Sequence, residues 1–485
     1  MVHKTRFYLK LKNTMKQLII LTLFFNWTIS IYGQNQSVTS YSLKDCIEIA
    51  LQNNLDLNSA SLRAETANIN FKQSKNELLP SLNGFYNIGK SSGRSTDPFT
   101  NSIVTQDLTF SNAGLRLNAV VFNGFKLIND WKRQKLNLLA SKMEKEEARQ
   151  NLVLNVTLTY LQVMNNKDLY ELATNRLEST NQQLERLESL YDEEVGNPAE
   201  YRDFEGLRAN DKANLITARN NFKDAKLSLK ELMNIDSDFD LQIVDIPLDI
   251  LDYKTSTEEV YQSALQNFAM VKADELRVDV ADKGIAVARS LYMPEISIFA
   301  NLNTNYSSTA NLFNEGATTF VETGDFVTIN GDDFPVMTER TEFFPQSISY
   351  RDQFENNLSQ SYGIAVNLPL FNGFRTKNNV QLEKIKKEEA QTELERTKLQ
   401  LKNAIDIAYR DMIAAYERYE VIQTQVNAYE ESLRINEIRF NSGVNNSVDY
   451  IISKNNYDNA LINFNNAKYE IVLRVKILEY YKGNL

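Results

Sequence analysis

Histidine and cysteine are almost missing from this chain of 485 residues, with His3 and Cys46 the single example of each. Past residue 33 there is no histidine at all. That excludes a Ser-His-Asp triad, a Cys-His nucleophile pair and a histidine metal site. A single cysteine allows no intramolecular disulfide, and Cys46 lies too far from the N-terminal apolar segment to be a lipid-attachment site. No glycine-rich phosphate loop is present. Carboxylates are plentiful, but in helical stretches they read as solvated faces. The chain is not expected to be an enzyme or to hold a cofactor or a metal.

Proline and glycine are scarce as well, at 8 and 16 residues. Their shortage favours long uninterrupted helices. Ten of the 16 glycines fall within 81–124 and 295–373, so two short regions of another kind interrupt the helical pattern. Lys4, Arg6, Lys10, Lys12 and Lys16 precede the apolar run "LIILTLFF" (18–25) and a small residue at Gly33, the order of an export signal over 1–33. Asn26, Thr28 and Ser30 break the apolar run short of the roughly 18–20 residues that a spanning helix needs. Met15 would serve equally as the start, since "MKQLIILTLFF" is a complete signal opening. Cleavage after Gly33 leaves 48 Lys+Arg against 63 Asp+Glu, a net charge of −15. Nucleic acid, which needs a basic footprint, is not an expected partner.

What the chain does contain is a duplication. "LRLNAVVFNGF" (115–125) aligns with "IAVNLPLFNGF" (364–374) at an offset of 249. In both, apolar and polar residues alternate with period two and end at an Asn-Gly pair, Asn123-Gly124 and Asn372-Gly373. That is the pattern of a strand closing in a tight turn. "ALQNNLDL" (50–57) aligns with "ALQNFAMV" (264–271) at an offset of 214, which also sets Pro80 on Pro294. Each proline ends a helical stretch and opens a second alternating segment. Downstream, 125–195 and 374–442 contain neither glycine nor proline; the runs end at Gly196 and Gly443, and a further helical stretch follows. Each half, 34–247 and 248–485, thus reads helix, strand, strand, very long helix, turn, helix. The change of offset places a 35-residue insertion in the second half, at about 309–360. It holds nine acidic residues and only Arg340 and Arg351 as bases, and is expected to be a loop.

A helix of about 70 residues is roughly 105 Å long at ~1.5 Å per residue, too long for a compact domain. The shorter helical stretches, of about 35–38 residues, would stack end to end into a second track of similar length. The alternating segments, of about 9–12 residues, suit tilted strands crossing the ~30 Å hydrocarbon layer. Four strands cannot close a barrel, and open edges cannot sit in lipid, so such a sheet must close by oligomerisation. Soluble hairpins mounted on a coiled coil are the alternative reading of the same pattern.

Taken in order, "YSLKDCIEIALQNNLDL" (41–57), "LLPSLNG" (78–84), "VVFNGF", "PLFNGF", "TARNNF" (217–222) and "RFNSGVNNSVDY" (439–450) carry a resemblance. They resemble the TolC family of outer-membrane efflux ducts, over nearly the whole chain past the signal. The resemblance implies an α+β membrane protein of mostly long α-helices forming a periplasmic α-helical barrel. Four transmembrane β-strands per chain would contribute to a trimeric twelve-stranded β-barrel in the cell outer membrane. It implies a passive exit duct of a tripartite efflux system. The expected partners are two further copies (a homotrimer), a periplasmic adaptor protein, an inner-membrane transporter and outer-membrane lipid.

The resemblance also assigns residues. Asn123, Gly124, Asn372 and Gly373 would turn membrane strands into periplasmic helices. The helix-tip turns at Gly196 and Gly443, with Arg439, would meet the adaptor. Family members ring the periplasmic aperture with acids just past the second tip glycine. Asp449 stands in that place, whereas a second acid expected three residues later is here Ile452. Glu200 and Asp203 occupy the matching stretch of the first half. Two other functions fit the same residues: the exit duct of a type I protein-secretion system, and a coiled-coil structural protein of the envelope.

Overall fold

The computed structural model describes residues 40–96, 101–105, 107–193, 197–248 and 253–483. The expected signal and Gly196 lie outside the described residues. Both halves run through the same series of elements. The first begins with β1 (Ser40–Tyr41), α1 (Leu43–Asn53), α2 (Leu55–Asn76) and β2 (Ser81–Ser91). A short hairpin of β3 (Arg94–Thr96) and β4 (Ile103–Thr105) precedes β5 (Leu108–Asn123), α3 (Lys126–Asp192) and α4 (Pro198–Met233). The second begins with β6 (Gln242–Ile243), α5 (Thr257–Asn267), α6 (Ala269–Ser290) and β7 (Glu295–Ser307). A long hairpin of β8 (Asn311–Ile329) and β9 (Asp332–Ser347) comes next. It is followed by α7 (Tyr350–Asn356), β10 (Ser359–Asn367), α8 (Arg375–Asn441) and α9 (Ser447–Lys482).

Corresponding helices match residue for residue: α1 and α5 have 11 residues, α2 and α6 have 22, α3 and α8 have 67, α4 and α9 have 36. At ~1.5 Å per residue the two longest are roughly 100 Å long. The opening helix of each half, expected as one rod, is instead broken after its first three turns. Asn54 causes the first break: its backbone is extended, and its Oδ1 accepts the N–H groups of Asp56 and Leu57. One residue therefore ends α1 and caps α2. Phe268 makes the equivalent break without a side-chain cap. Upstream, both halves start with a capping box, Ser42 with Asp45 and Ser256 with Glu259.

Four strands form one antiparallel sheet in the order β10-β7-β5-β2, which leaves β2 and β10 as edges unpaired among the described residues. Each strand continues directly into, or arises from, a long helix, and the helices pack in the same lateral order, α2 beside α3, α3 beside α6, α6 beside α8. Sheet and helices are thus one continuous wall. Strands β5 and β7 have 16 and 13 residues, longer than expected. One sheet face carries Leu82, Leu115, Leu117, Ile298, Leu302, Ile364 and Val366 in register; the other carries asparagine and serine. Phenylalanines on this polar face lie flat: a Cβ added to Gly89, Gly114 or Gly363 would come within 2.7, 2.8 or 2.9 Å of the ring of Phe110, Phe85 or Phe299. Among the described residues no helix is long and apolar enough to cross a membrane.

The insertion departs from the expected loop. Most of it is the β8–β9 hairpin, whose threonine, valine and phenylalanine residues suit extended chain. Its acidic residues stand among them without preventing pairing. Helix α7 then lies across the apolar sheet face. There Tyr350 stacks with Phe354 and packs at a tilt against Tyr306, and its hydroxyl meets those of Tyr86 and Ser111.

The main core sits halfway along the helices, where Cys46, Val156, Tyr160, Leu229, Met233 and Leu241 are buried together. Here β1 and β6 form a short parallel pair. The single Tyr160 O–H is shared between the carbonyls of Val244 (2.6 Å) and Tyr41 (3.0 Å), fixing that pair to α3. Burial pushes the Cys46 thiol up to about 12, so it stays protonated and serves as packing.

Candidate functional site

The residues singled out by the sequence fall at opposite ends of the long helices. At the sheet end, Gly124 and Phe125 both have left-handed backbones (φ +65° and +64°), as do Gly373 and Phe374 (φ +64° and +59°). Two such residues in succession swing an extended strand into a helix. Glycine adopts this conformation freely, whereas phenylalanine must be held in it. Each ring is held edge-to-face by the first phenylalanine of its motif, Phe122 to Phe125 at 5.4 Å and Phe371 to Phe374 at 5.5 Å. Asn123 accepts the N–H of Leu127 at 3.3 Å, and Asn372 donates to Thr376 Oγ1 at 2.5 Å. All four letters of Phe-Asn-Gly-Phe therefore have a task. The sequence had indicated only Asn-Gly.

At the far end, α8 stops because Gly443 turns left-handed (φ +73°), and the carbonyl of Arg439 collects the N–H groups of Val444 and Asn445. Asn446 then caps α9 by accepting the N–H of Asp449 at 3.0 Å. Asp449 is exposed in the first turn, where a carboxylate meets the positive end of the helix dipole. In the first half Asn197 caps α4 by accepting the N–H of Ala199, and Pro198 takes the first helical position. Glu200 is half-buried in that turn, and Arg439 is exposed with its side chain turned to solvent.

The two tips meet. Ser447 donates to Asp203 at 2.8 Å, joining α9 to α4, and Arg186 of α3 donates to Asn441 at the end of α8. Phe204, Phe440 and Tyr450 stack at 5.2–5.7 Å around this junction, with Leu184, Leu187 and Leu207 beneath them. Of the acids predicted to line an aperture, Asp449 lies two residues past Ser447, and Asp203 is engaged by the Ser447 hydroxyl.

Sequence reasoning missed the layer above. Arg176 and Thr180 on α3, Asp211 on α4, and Lys454, Asn455 and Asp458 on α9 continue the apolar stripes of the tip by helical spacing. Arg176 Nε donates to Asp211 at 2.5 Å and lies 3.2 Å from Asp458; its Nη2 donates to Asn455 at 2.6 Å. Thr180 donates to the other oxygen of Asp211 at 2.6 Å, and Lys454 reaches Asp458 at 2.9 Å. Asp211 is fully buried. Two cations and two anions balance inside the helix packing. A cleft of about 600 Å³ opens beside them, lined in part by Leu169, Ala173, Thr217, Glu437 and Tyr457. Among the described residues, no group of three or more acidic, cysteine or histidine side chains is placed to hold a metal ion.

These features correspond to known proteins. A family model described as outer membrane efflux protein matches residues 46–234 and 333–483, more than half of the chain. The chain belongs to the outer membrane efflux protein family. It is 20% identical over 401 residues to the outer membrane efflux protein BepC of Brucella suis biovar 1 (strain 1330), covering 82% of this chain and 75% of that protein. The CmeC outer membrane channel of Campylobacter jejuni superposes with a TM-score of 0.74 at 18% identity, covering 91% of this chain and 85% of that one. VceC of Vibrio cholerae does so with 0.72 at 16% identity, covering 91% and 96%. At such identities the structural likeness speaks for the fold alone. Family membership makes this chain an outer-membrane transport duct and not an enzyme. Strands β2, β5, β7 and β10 are accordingly its membrane portion, and the long helices extend into the periplasm.

Proposed function

We propose that three copies of this chain form a passive efflux duct, built from two related units (34–247 and 248–485) per copy and served by a periplasmic adaptor and an inner-membrane transporter. The observation that carries the trimer is that the wall ends in open edges, in both its sheet and its helices. Among the described residues strands β2 and β10 lack outer partners, and unpaired strand edges are not tolerated in lipid. On the edge helices, Leu55, Leu62 and Ile69 of α2, and Ile385, Leu399 and Ile413 of α8, are exposed at heptad-related spacings that ask for helical neighbours. Three four-stranded sheets would close one barrel, and three sets of helices would close one tube.

In that arrangement the tips converge on the axis, with Asp449, and secondarily Glu200 and Asp203, at the aperture. The turn at Gly443, with exposed Arg439, faces the adaptor, and the β8–β9 hairpin projects outside the cell. Efflux is preferred to protein secretion or a purely structural role because it agrees with the family's description. The test is reconstitution. Detergent-extracted protein should have the mass of three chains and form conducting channels in planar bilayers. Asp449→Asn should lower cation preference, because a ring of three carboxylates attracts cations. A monomer without conductance would exclude the duct. Unchanged selectivity in assembled Asp449→Asn channels would remove Asp449 from the aperture.

A further inference from the structure

We infer that the barrel lumen contains an anion-binding girdle centred on Arg116; this rests on the trimeric reading above. The four membrane strands contain only three charged residues, Lys90, Arg116 and Glu295. Lys90 is on the apolar face near the outer end, 2.6 Å from Asp107, and Glu295 opens β7 at the periplasmic end. Arg116 alone stands mid-sheet. It is on the polar face, which must be the lumen: an arginine facing lipid at mid-depth costs about 2–4 kcal/mol.

Its surroundings are built to a pattern. In register across the sheet, Arg116 of β5 is opposite Asn83 of β2 on one side and Asn301 of β7 on the other, and Asn301 is opposite Ser361 of β10. Asn301 Nδ2 donates to Ser361 Oγ at 3.3 Å. One row of side chains therefore runs polar across all four strands, with a single positive charge in it. In the two adjacent rows the lumen-facing rings are Phe85 and Phe299. Both lie flat over glycines, Gly114 and Gly363. Arg116 is exposed and makes no ion pair among the described residues. A guanidinium presents five donors and no acceptor, and the asparagine amides add donors beside it. The ligand class is therefore an anion that accepts several hydrogen bonds, such as a carboxylate, a phosphate or a sulfate group on a passing solute.

Barrel geometry makes three such charges cooperate. Twelve strands spaced ~4.8 Å apart and tilted ~40° enclose a backbone diameter of roughly 24 Å. An extended arginine then places its charge roughly 6 Å from the axis, within the ~8 Å screening length of physiological salt. Three screened charges at that distance concentrate a monovalent anion on the axis by on the order of fivefold, and a multivalent anion far more.

The test is block by inorganic tripolyphosphate added on the barrel side of single channels, the end remote from the aperture acids. Wild-type channels should be blocked. Arg116→Gln should weaken the block by on the order of tenfold or more, and Arg116→Lys, which keeps the charge, should retain most of it. Equal block of wild type and Arg116→Gln, or no block of conducting wild-type channels, overturns the girdle and leaves the duct standing. Absence of any conductance from the wild type overturns both. Should Arg116→Gln fail to assemble, the wild type alone decides: block at Arg116 must fade steeply between about 0.1 and 1 M KCl, and salt-independent block refutes it.

Discussion

Removing the Arg176 guanidinium tests whether the buried ion network holds the helix tips together. Arg176 and Asp211 are 10% and 0% exposed, so Arg176→Met would leave the Asp211 carboxylate out of water with Thr180 as its remaining donor. Breaking a buried pair from one side costs about 3–5 kcal/mol. The loss is local, because the network ties α3 and α4 to α9 only near the tip. Hydrogen exchange is the suitable assay. At about 1.4 kcal/mol per tenfold, amides of 204–215 and 447–460 should lose roughly two to three and a half orders of magnitude in protection. Barrel amides should be unchanged. The double substitution Arg176→Met with Asp211→Leu should recover most of the loss, since apolar side chains of similar volume replace buried ion pairs at little cost. Unchanged tip protection in Arg176→Met, or additive losses in the double variant, would show that the network contributes no coupling.

Two further outcomes follow from the described contacts. A Cβ at Gly124 would come within 2.5 Å of Met293 Cβ and 2.7 Å of the Ser290 carbonyl, whereas one at Gly373 meets nothing within 4 Å. Both alanine substitutions incur about 1 kcal/mol for the left-handed backbone, and Gly124→Ala adds about 1–3 kcal/mol for overpacking, so it should melt clearly lower than Gly373→Ala; equal melting would refute the asymmetry. Glu147 is the second site: burial, then the charges of Asp274 and Glu144, raise its carboxyl above the usual range. A carboxyl raised in the fold favours the folded state fully below its unfolded pKa, and that contribution disappears as pH rises through the folded value. Glu147→Gln should therefore be more stable than wild type at neutral pH and equal to it below about pH 4 in a pH series of melts. A difference independent of pH would rule out this cause.

What the sequence made legible is short-range or repeated. The Asn-Gly turns could be read because turn chemistry lies in adjacent residues, and the long helices because 125–195 and 374–442 lack glycine and proline. The left-handed phenylalanines were not legible, since their support comes from Phe122 and Phe371 folding back as rings. Nor was the break at Phe268, which has neither a breaker nor a cap. The β8–β9 hairpin was hidden because Phe320 pairs with Glu339, and Glu322 with Met337. Apolar and acidic residues share each face there, and the period-two signal disappears. The tip network joins residues as far apart in sequence as Arg176 and Asp458, each of which would pass for an ordinary helix-surface polar group.

That network also explains why the tip differs from the rest of the wall. The equatorial core buries fourteen residues around Tyr160 and Leu229, whereas the tip cluster buries six. Apolar burial is the main stabilising term, so the tip has the smaller share of it. Its deficit is filled by ion pairs, which are nearly neutral against an apolar core but demand one register between helices. Unlike apolar contacts, these groups regain favourable hydration if the helices part. Separating α9 from α3 and α4 near Arg176 therefore costs less than separating any equal length at the equator. The wall is firmest at its equator and most easily rearranged near the helix tips that carry Asp203 and Asp449.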